Sequence, residues 1–410
     1  MKPLKTIKDP VHGFINIEHP LVLWLLDHPY FQRLRRIRQL GVSDFVYPGA
    51  LHTRFHHALG ALSLMKRVLQ ELRQKGHAIS AEEAEAAQVA ILLHDVGHGP
   101  FSHVLEHTIL PVHHEQLSLQ LMQFFNREQN GRLDMALAMF RDTYHRRFFH
   151  QLISSQLDMD RLDYLQRDCF FTGVSEGNIG VDRILKVINV VQDQIVIHEK
   201  GIYNIEHFLN ARRMMYWQVY LHKTNVGTEQ LLTQAIRRAR YLLKTGNALF
   251  ATPAFRYFLT LDPKADWKTE TVLEWLPYFV QLDDYDIWTA LKVWADEAKD
   301  PLLRLLATSF TNRNLFRTQL SDTPFPVDRI RTFQEKTQAH FQLSPEEVGY
   351  LVRYGEVSNA AYLSDHQIQV LQGDGSIRDL AEASDLPNIR ALMQPVKKYF
   401  LWYPKPVSDA

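Results

Sequence analysis

Between residues 55 and 75, Leu59, Leu62, Met65, Val68, Leu69 and Leu72 recur at the spacing of one helical stripe, and Gly76 is placed to stop it. A helix this long with one apolar face must bury that face against other elements, which commits the chain to a packed helical core. A second helix begins at the capping-box pattern Ser80-Ala81-Glu82-Glu83 and runs through alanines into Val89-Ala90-Ile91-Leu92-Leu93. It delivers His94 and Asp95 at its end, where Gly97, Gly99 and Pro100 break it. The same periodicity predicts helices over 21–27, 30–40, 114–126, 159–167, 178–190 and 205–244. Residues 194–205 are the exception, with Ile195, Ile197 and Tyr203 alternating around Lys200-Gly201 as in a hairpin inserted among helices. Past Ala251, proline and tryptophan become frequent, and Gly373-Asp374-Gly375 signals a second hairpin. The expected architecture is mostly α: a helical core with a small inserted β-hairpin over 1–245, a helical extension over 246–345 and a C-terminal α/β region over 346–410.

Composition narrows the function. The 410 residues carry 46 basic and 46 acidic side chains, which disfavours a protein that coats nucleic acid. Cys169 is the only cysteine, so a disulfide framework and cysteine-rich zinc or iron–sulfur sites are excluded. No apolar run has the length of a signal peptide or a bilayer span, and the cytoplasm is the expected compartment. Histidine is in excess. Ten of the 20 fall between His52 and His114, where even spacing would put about three.

The string His94-Asp95-Val96-Gly97-His98-Gly99-Pro100-Phe101-Ser102-His103 concentrates that excess. Neighbours on a regular helix point about 100° apart, but at a helix end that opens into glycines they can converge. Imidazole nitrogen with carboxylate oxygen suits a first-row divalent metal, and His57 and a downstream aspartate are candidates for further ligands. A lone histidine in an alanine-rich helix is more often a core or surface residue.

The string as a whole resembles the HD phosphohydrolase superfamily, whose pattern is a single His, then His-Asp, then a distant Asp. Within it, the chain resembles the deoxynucleoside triphosphate triphosphohydrolases of the vertebrate type that joins a SAM domain to an HD domain. Ile7-Lys8-Asp9-Pro10-Val11-His12-Gly13 carries the likeness, as do Phe31-Gln32-Arg33-Leu34-Arg35 with Gln39-Leu40-Gly41, and Phe45 to Ala50 with Arg54-Phe55-His56-His57. His94 through His103, Asp160 through Cys169, and Arg212 with Tyr220-Leu221-His222-Lys223 complete it. The likeness covers roughly residues 4–245, with no SAM module expected.

The resemblance implies that His57, His94, Asp95 and Asp160 hold a divalent metal, with Fe, Mn, Zn and Co all compatible, and that Mg²⁺ accompanies the triphosphate. His98, His103, Glu106 and His114 become the catalytic layer, with His103 favoured as acid for the leaving 5′ oxygen. Glu106 replaces the usual Asp, which keeps the charge on a longer arm. Arg54, Arg161 and Arg212 would clamp phosphates. Gln39, Tyr164 and Asp168 would hold the deoxyribose, and Tyr220 would stack near the base. Leu221 and Phe170 stand where polar residues occur in the vertebrate enzyme, so broad base acceptance is expected. Asp163 is expected to make structural hydrogen bonds and Asp158 to cap its helix.

Lys5, Asp27, Gln32, Arg35, Arg183, Lys200, His222 and Lys223 match residues of an allosteric site for GTP or dGTP between subunits of a homotetramer. The expected partners are therefore dNTP substrates, a guanine effector and further copies of the chain, without a membrane. Two readings compete: another HD hydrolase acting on cyclic nucleotides, alarmones or monophosphates, and a weakly catalytic nucleotide-sensing or nucleic-acid-binding protein whose basic patch runs from Arg33 to Arg38.

Overall fold

A computed structural model of the chain describes residues 3–101, 103–109, 112–261, 272–359, 367–386, 388–392 and 394–407. Strands β1 (Lys5–Asp9) and β2 (Gly13–Ile17) pair antiparallel. Helices α1 (Pro20–Asp27) and α2 (Pro29–Gln32) follow. The helix expected over 30–40 stops there: Arg33–Arg36 is one 3₁₀ turn, and beyond it the backbone pairs with the segment before the next helix. Gln39 N donates to His52 O at 3.0 Å and Arg54 N to Ile37 O at 2.9 Å, a tertiary pairing that overrides local helical preference.

The long stripe forms α3 (Arg54–Gln74), with Gly76 at a φ of +92° just past its end. The capping box of Ser80 and Glu83 opens α4 (Ala81–Leu93), as expected. Helices α5 (His103–Ile109), α6 (His114–Glu128), α7 (Asp134–Phe140), α8 (Phe148–Ile153) and α9 (Met159–Thr172) come next, the last capped by Asp158, whose side chain accepts from Arg161 N. α3 packs against both α4 and α9.

The first hairpin lies upstream of its expected position. After α10 (Val181–Val187), β3 (Ile188–Val191) pairs with β4 (Gln194–His198) around Gln192 and Asp193, both at positive φ. Neither turn residue is glycine, which hid the turn. Lys200-Gly201 instead belongs to a 3₁₀ turn leading into α11 (Ile202–Met215). The helix expected over 205–244 is interrupted by a π turn at Tyr216–Tyr220 before α12 (Lys223–Lys244), and His222 caps the new start by accepting from Thr224 N.

The extension contributes α13 (Pro253–Thr260), α14 (Val272–Phe279), α15 (Asp284–Glu297) and α16 (Pro301–Thr311). Strand β5 (Arg317–Ser321), helix α17 (Val327–Phe341) and strand β6 (Arg353–Asn359) follow. Strands β7 (Gln369–Leu371) and β8 (Ile377–Asp379) form the expected second hairpin, with Gly375 at a φ of +84°. β7 adds in parallel to β4, so the two hairpins make one sheet in the order β3-β4-β7-β8. The last strand, β9 (Val396–Tyr403), lies between β5 and β6. The fold is mostly α with small sheets, and one apolar core runs from Ile15 to Trp402. No described helix is long and apolar enough to cross a membrane.

Candidate functional site

His57 sits in the first turn of α3, His94 caps the end of α4, and Asp160 lies in the first turn of α9. Packing of α4 and α9 on α3 brings the three together. The Nε2 atoms of His57 and His94 are 3.3 Å apart, and Asp160 Oδ1 is 3.0 Å from the first and 3.5 Å from the second. Asp95 Oδ1 lies 3.5 Å from His94 Nε2, and Asp95 Oδ2 lies 3.7 Å from His57 Nε2.

The other ring nitrogens fix the tautomers. His57 Nδ1 donates to Asp163 Oδ2 at 2.8 Å and His94 Nδ1 to the Ile91 carbonyl at 2.6 Å. Two Nε2 lone pairs then face each other beside two carboxylates, a donor set that calls for a cation at their meeting point. Electrostatics show the pull of this pocket on positive charge, which a proton on His57 answers where no cation does. Burial disfavours a charge on His57, but hydrogen bonds to Asp160 and Asp163 outweigh it and raise its pKa to about 10. Burial likewise opposes ionisation of Asp95 and Asp160, yet their histidine neighbours hold both below the usual carboxylate range, with Arg54 adding to the effect at Asp95. His57, His94 and Asp160 lie close enough to hold a divalent metal together, while Asp95 groups with His98 and His114 as a second candidate set.

Asp163 is the anchor behind them. It accepts from His12 Nε2 at 2.6 Å and from Arg167 Nε at 2.9 Å, and Arg167 reaches on to Asp9 at 2.9 Å. Gly60 makes this possible, since a Cβ there would collide with the Asp163 carboxylate and the Arg167 guanidinium.

A second group lies alongside. The His98 and His114 rings stack with centroids 3.8 Å apart, and His98 Nε2 is 3.4 Å from Asp95 Oδ1. Glu106 Oε1 accepts from His114 N at 2.8 Å and from His114 Nδ1 at 2.9 Å, so its longer arm does reach the neighbouring histidine. Burial, with Arg54 next to it, pushes His98 well below the ordinary imidazole value. The buried Arg33 secures the loop by donating to the carbonyls of Val96 at 2.8 Å and His98 at 2.6 Å. The His103 side chain lies outside the described residues.

Both groups open on a cavity of about 450 Å³ whose wall includes Gln39, Arg54, Asp95, His98, His114, Asp160, Arg161, Tyr164, Asp168 and Tyr220. Asp168 is held on two sides, by His52 Nε2 at 2.7 Å and by the Tyr220 hydroxyl at 2.8 Å. Gln39 Oε1 is buried and meets no donor among the described residues. Arg54 pairs with Asp95. Arg212 departs from expectation: it is buried and donates to Gln156 Oε1 at 3.0 Å, and the cavity wall as described does not include it.

Three residues escaped the sequence reading. His52 had no assigned role and is buried against Asp168. Tyr216 and Glu229 also line the cavity. The spacing of Tyr216 and Tyr220 was the available signal for the first, while a single glutamate on a long amphipathic helix gave none for Glu229.

The residues matched to an effector site do not form one cluster by direct contact. Lys5 pairs with Asp27 at 2.8 Å, and Arg35 Nε donates to Gln32 at 2.7 Å while its guanidinium stacks on Phe55. Arg183, Lys200 and Lys223 are exposed, and His222 serves as the helix cap.

Comparison with known proteins agrees with this anatomy. The HD domain profile matches residues 54–168 and the HD associated region matches 179–248. An uncharacterized protein of Bacillus subtilis is 35% identical over 76% of this chain and 71% of its own length. The deoxynucleoside triphosphate triphosphohydrolase of Gallus gallus is 29% identical over 58% of this chain, and the match spans only 45% of that enzyme. The crystal structure of a phosphohydrolase from Bacteroides thetaiotaomicron superposes with a TM-score of 0.93 at 49% identity, covering 98% of this chain and 100% of the other.

Proposed function

The chain belongs to the HD-domain phosphohydrolase family, and from that premise we propose that it hydrolyses dNTPs to deoxynucleoside and inorganic triphosphate. One observation carries the reading: a single cavity whose wall joins the His/Asp cluster to Tyr164, Asp168 and Tyr220.

In this reading His57, His94, Asp95 and Asp160 hold the metal, and their mixed nitrogen and oxygen donors suit Fe, Mn, Zn or Co, with Mg²⁺ brought by the triphosphate. When bound, the ion supplies charge that acidifies a water and draws a phosphate oxygen. Arg54 and Arg161, both on the wall, clamp the phosphates. Arg212 acts from behind through Gln156, in the loop whose Ser155 carbonyl accepts from Arg161 Nε at 2.5 Å. Water attacks the α-phosphorus, the bond to O5′ breaks, and a histidine of the His98, His103, His114 set protonates the leaving oxygen, with His103 assigned that task. Glu106 orients His114. Gln39 Oε1, which meets no donor among the described residues, and the braced Asp168 carboxylate hold the 3′-hydroxyl, while Tyr164 closes the space at C2′.

Activation is assigned to GTP or dGTP, with Asp27, Gln32 and Arg35 reading guanine and Lys5, Arg183, Lys200, His222 and Lys223 meeting phosphates at the contact between subunits of a homotetramer. Arg35→Ala should then lose nucleotide activation while binding metal as the parent does.

The test is to incubate the protein with each dNTP, with and without GTP or dGTP, in Mn²⁺ or Mg²⁺, and to separate the products. Deoxynucleoside with tripolyphosphate is the expected result. Monophosphate with pyrophosphate, or no turnover in any combination, overturns the proposal.

A further inference from the structure

His52 stands two residues before α3 and directly opposite Gln39, next to the antiparallel bridge between Arg38 and Thr53. Its carbonyl accepts from Gln39 N at 3.0 Å, and its buried ring sets Nε2 2.7 Å from Asp168 Oδ1. One residue thus holds both cavity-wall residues assigned to the 3′-hydroxyl, Gln39 through the backbone and Asp168 through the side chain. Asp168 is buried as well, and the Tyr220 hydroxyl donates to its other oxygen at 2.8 Å.

The His52 ring is clamped in place. It stacks on Phe171 with centroids 4.5 Å apart and planes 18° from parallel. The loop leading to it is pressed on the same residue, since a Cβ on Gly49 would stand 2.6 Å from the Phe171 carbonyl oxygen. Phenylalanine would fill this slot without stranding a polar atom, yet histidine leaves Nδ1 buried with no partner among the described residues. What the imidazole adds is an N–H aimed at the carboxylate: a bare Nε2 lone pair would repel Asp168, so the proton lies on Nε2. Two donors from different elements then fix the carboxylate plane, and each oxygen keeps a second acceptor position for a ligand.

We propose, on the strength of the dNTPase reading above, that His52 is a positioning residue for the 3′ end of the substrate. It aims the Asp168 carboxylate at the 3′-hydroxyl, whose hydrogen the carboxylate accepts, and it ties the segment carrying Gln39 to the same point. A buried acceptor built to meet a hydroxyl stays unpaired when the ligand lacks that group, so an analogue without a 3′-oxygen is rejected. That rejection depends on the direction of the carboxylate lone pairs, and hence on the Nε2–H of His52.

The experiment offers dATP and 2′,3′-dideoxyadenosine triphosphate together in one reaction with saturating GTP. Any activation is then common to both, and their relative rates give the ratio of kcat/KM. Parent, His52→Phe, His52→Asn and His52→Gln are compared, with circular dichroism and the metal-to-protein ratio to verify the fold and the His/Asp cluster. Phenylalanine keeps the stack and removes the donor, and the asparagine amide stops short of Asp168. Glutamine carries an amide nitrogen out to the position of Nε2. The parent should favour dATP. His52→Phe and His52→Asn should shrink that preference by roughly tenfold or more, chiefly by raising KM for dATP, and His52→Gln should restore most of it. A folded variant without the donor that keeps the parental ratio, including one that loses both activities equally, overturns the role of His52 and leaves the dNTPase reading standing. So does a parent that consumes both nucleotides alike, or His52→Gln behaving as His52→Phe does. No turnover of dATP by the parent overturns that reading and this inference together.

Discussion

His57 Nδ1 lies 2.8 Å from Asp163 Oδ2, and the other oxygen of Asp163 accepts from His12 at 2.6 Å. Through this carboxylate, a residue of the N-terminal hairpin region is tied to a histidine of the candidate metal group. Arg167 and Asp9 close the network behind it. The Asp9-Pro10-Val11-His12 motif, far from the His-Asp string in sequence, thus belongs to the same apparatus.

Replacing Asp163 with Asn should uncouple this apparatus. An amide offers one acceptor oxygen where His12, His57 and Arg167 now share two. Metal affinity should fall by roughly 10- to 100-fold, the usual effect of losing a partner behind a ligand. Folding stability should fall by about 3 kcal/mol, because Arg167 loses a buried counter-charge and keeps only Asp9. Metal-to-protein ratio after dialysis against a chelator reads the first effect and denaturant melts the second. Parental metal retention in Asp163→Asn would remove its orienting role.

Gly97→Ala tests the approach of α6 to the His-Asp loop. A Cβ at residue 97 would run into the backbone N of Ser118 and the carbonyl of His114. Neither backbone atom can move without shifting α6, so the His98–His114 stack should open. The expected destabilisation is about 1–3 kcal/mol, accompanied by a larger loss of turnover than of metal binding. Full activity with an unchanged melting midpoint would show that α6 yields without disturbing the histidines.

What could be read from the sequence follows the range of the interactions involved. The stripe from Leu59 to Leu72, the Ser80 box and the glycine stop at Gly76 are local signals, and the helices form accordingly. His57, His94, Asp95 and Asp160 converge because each stands near the end of such a helix. The Tyr216–Tyr220 π turn and the new cap at His222 break an otherwise continuous apolar periodicity, which cannot register a change of helical pitch that turns side chains toward a cavity. His52 and Asp168 meet across 116 positions with no shared pattern. No sequence motif ties the extension past residue 246 to the site, but Asp284 returns to the site loops by accepting from Arg38 N at 2.9 Å and Phe101 N at 2.8 Å.

Asp284 should leave a signature in the pH dependence of stability. Burial raises its pKa from the ordinary carboxylate value of 3.8 to about 7, despite the two backbone hydrogen bonds that favour its charge. Below about pH 4 it is protonated in both folded and unfolded chains and makes no difference. Between about 4 and 7 the unfolded chain releases the proton first, so stability falls as pH rises, by a few kcal/mol in all, and levels off above 7. Asp284→Asn cannot titrate, but it satisfies only one of the two backbone donors. The variant should be less stable than the parent at pH 5, and the gap should narrow or reverse at pH 8. Chemical denaturation at the two pH values measures the gap; a difference that does not change with pH would contradict the assignment.

Tyr164 offers the sharpest test of sugar selection. Its ring stands at 74° to that of Tyr220 with centroids 6.2 Å apart, and the Tyr220 hydroxyl braces Asp168 at 2.8 Å. Under the proposed dNTPase function, deoxy selectivity would come from volume rather than from a hydrogen bond, since excluding a 2′-hydroxyl requires only that no space remain for it. Tyr164→Ala opens that space and should admit ribonucleotides, lowering the dNTP-to-NTP ratio of kcat/KM by roughly 10- to 100-fold. Tyr220→Phe keeps the volume and removes only the brace on Asp168, so it should raise KM for dNTPs while leaving the ratio near the parent's. The pair of variants separates exclusion from positioning. If Tyr164→Ala loses activity but still rejects ribonucleotides as the parent does, the ring is not what closes the 2′ side, and selection must rest with Gln39 and Asp168 on the 3′ side.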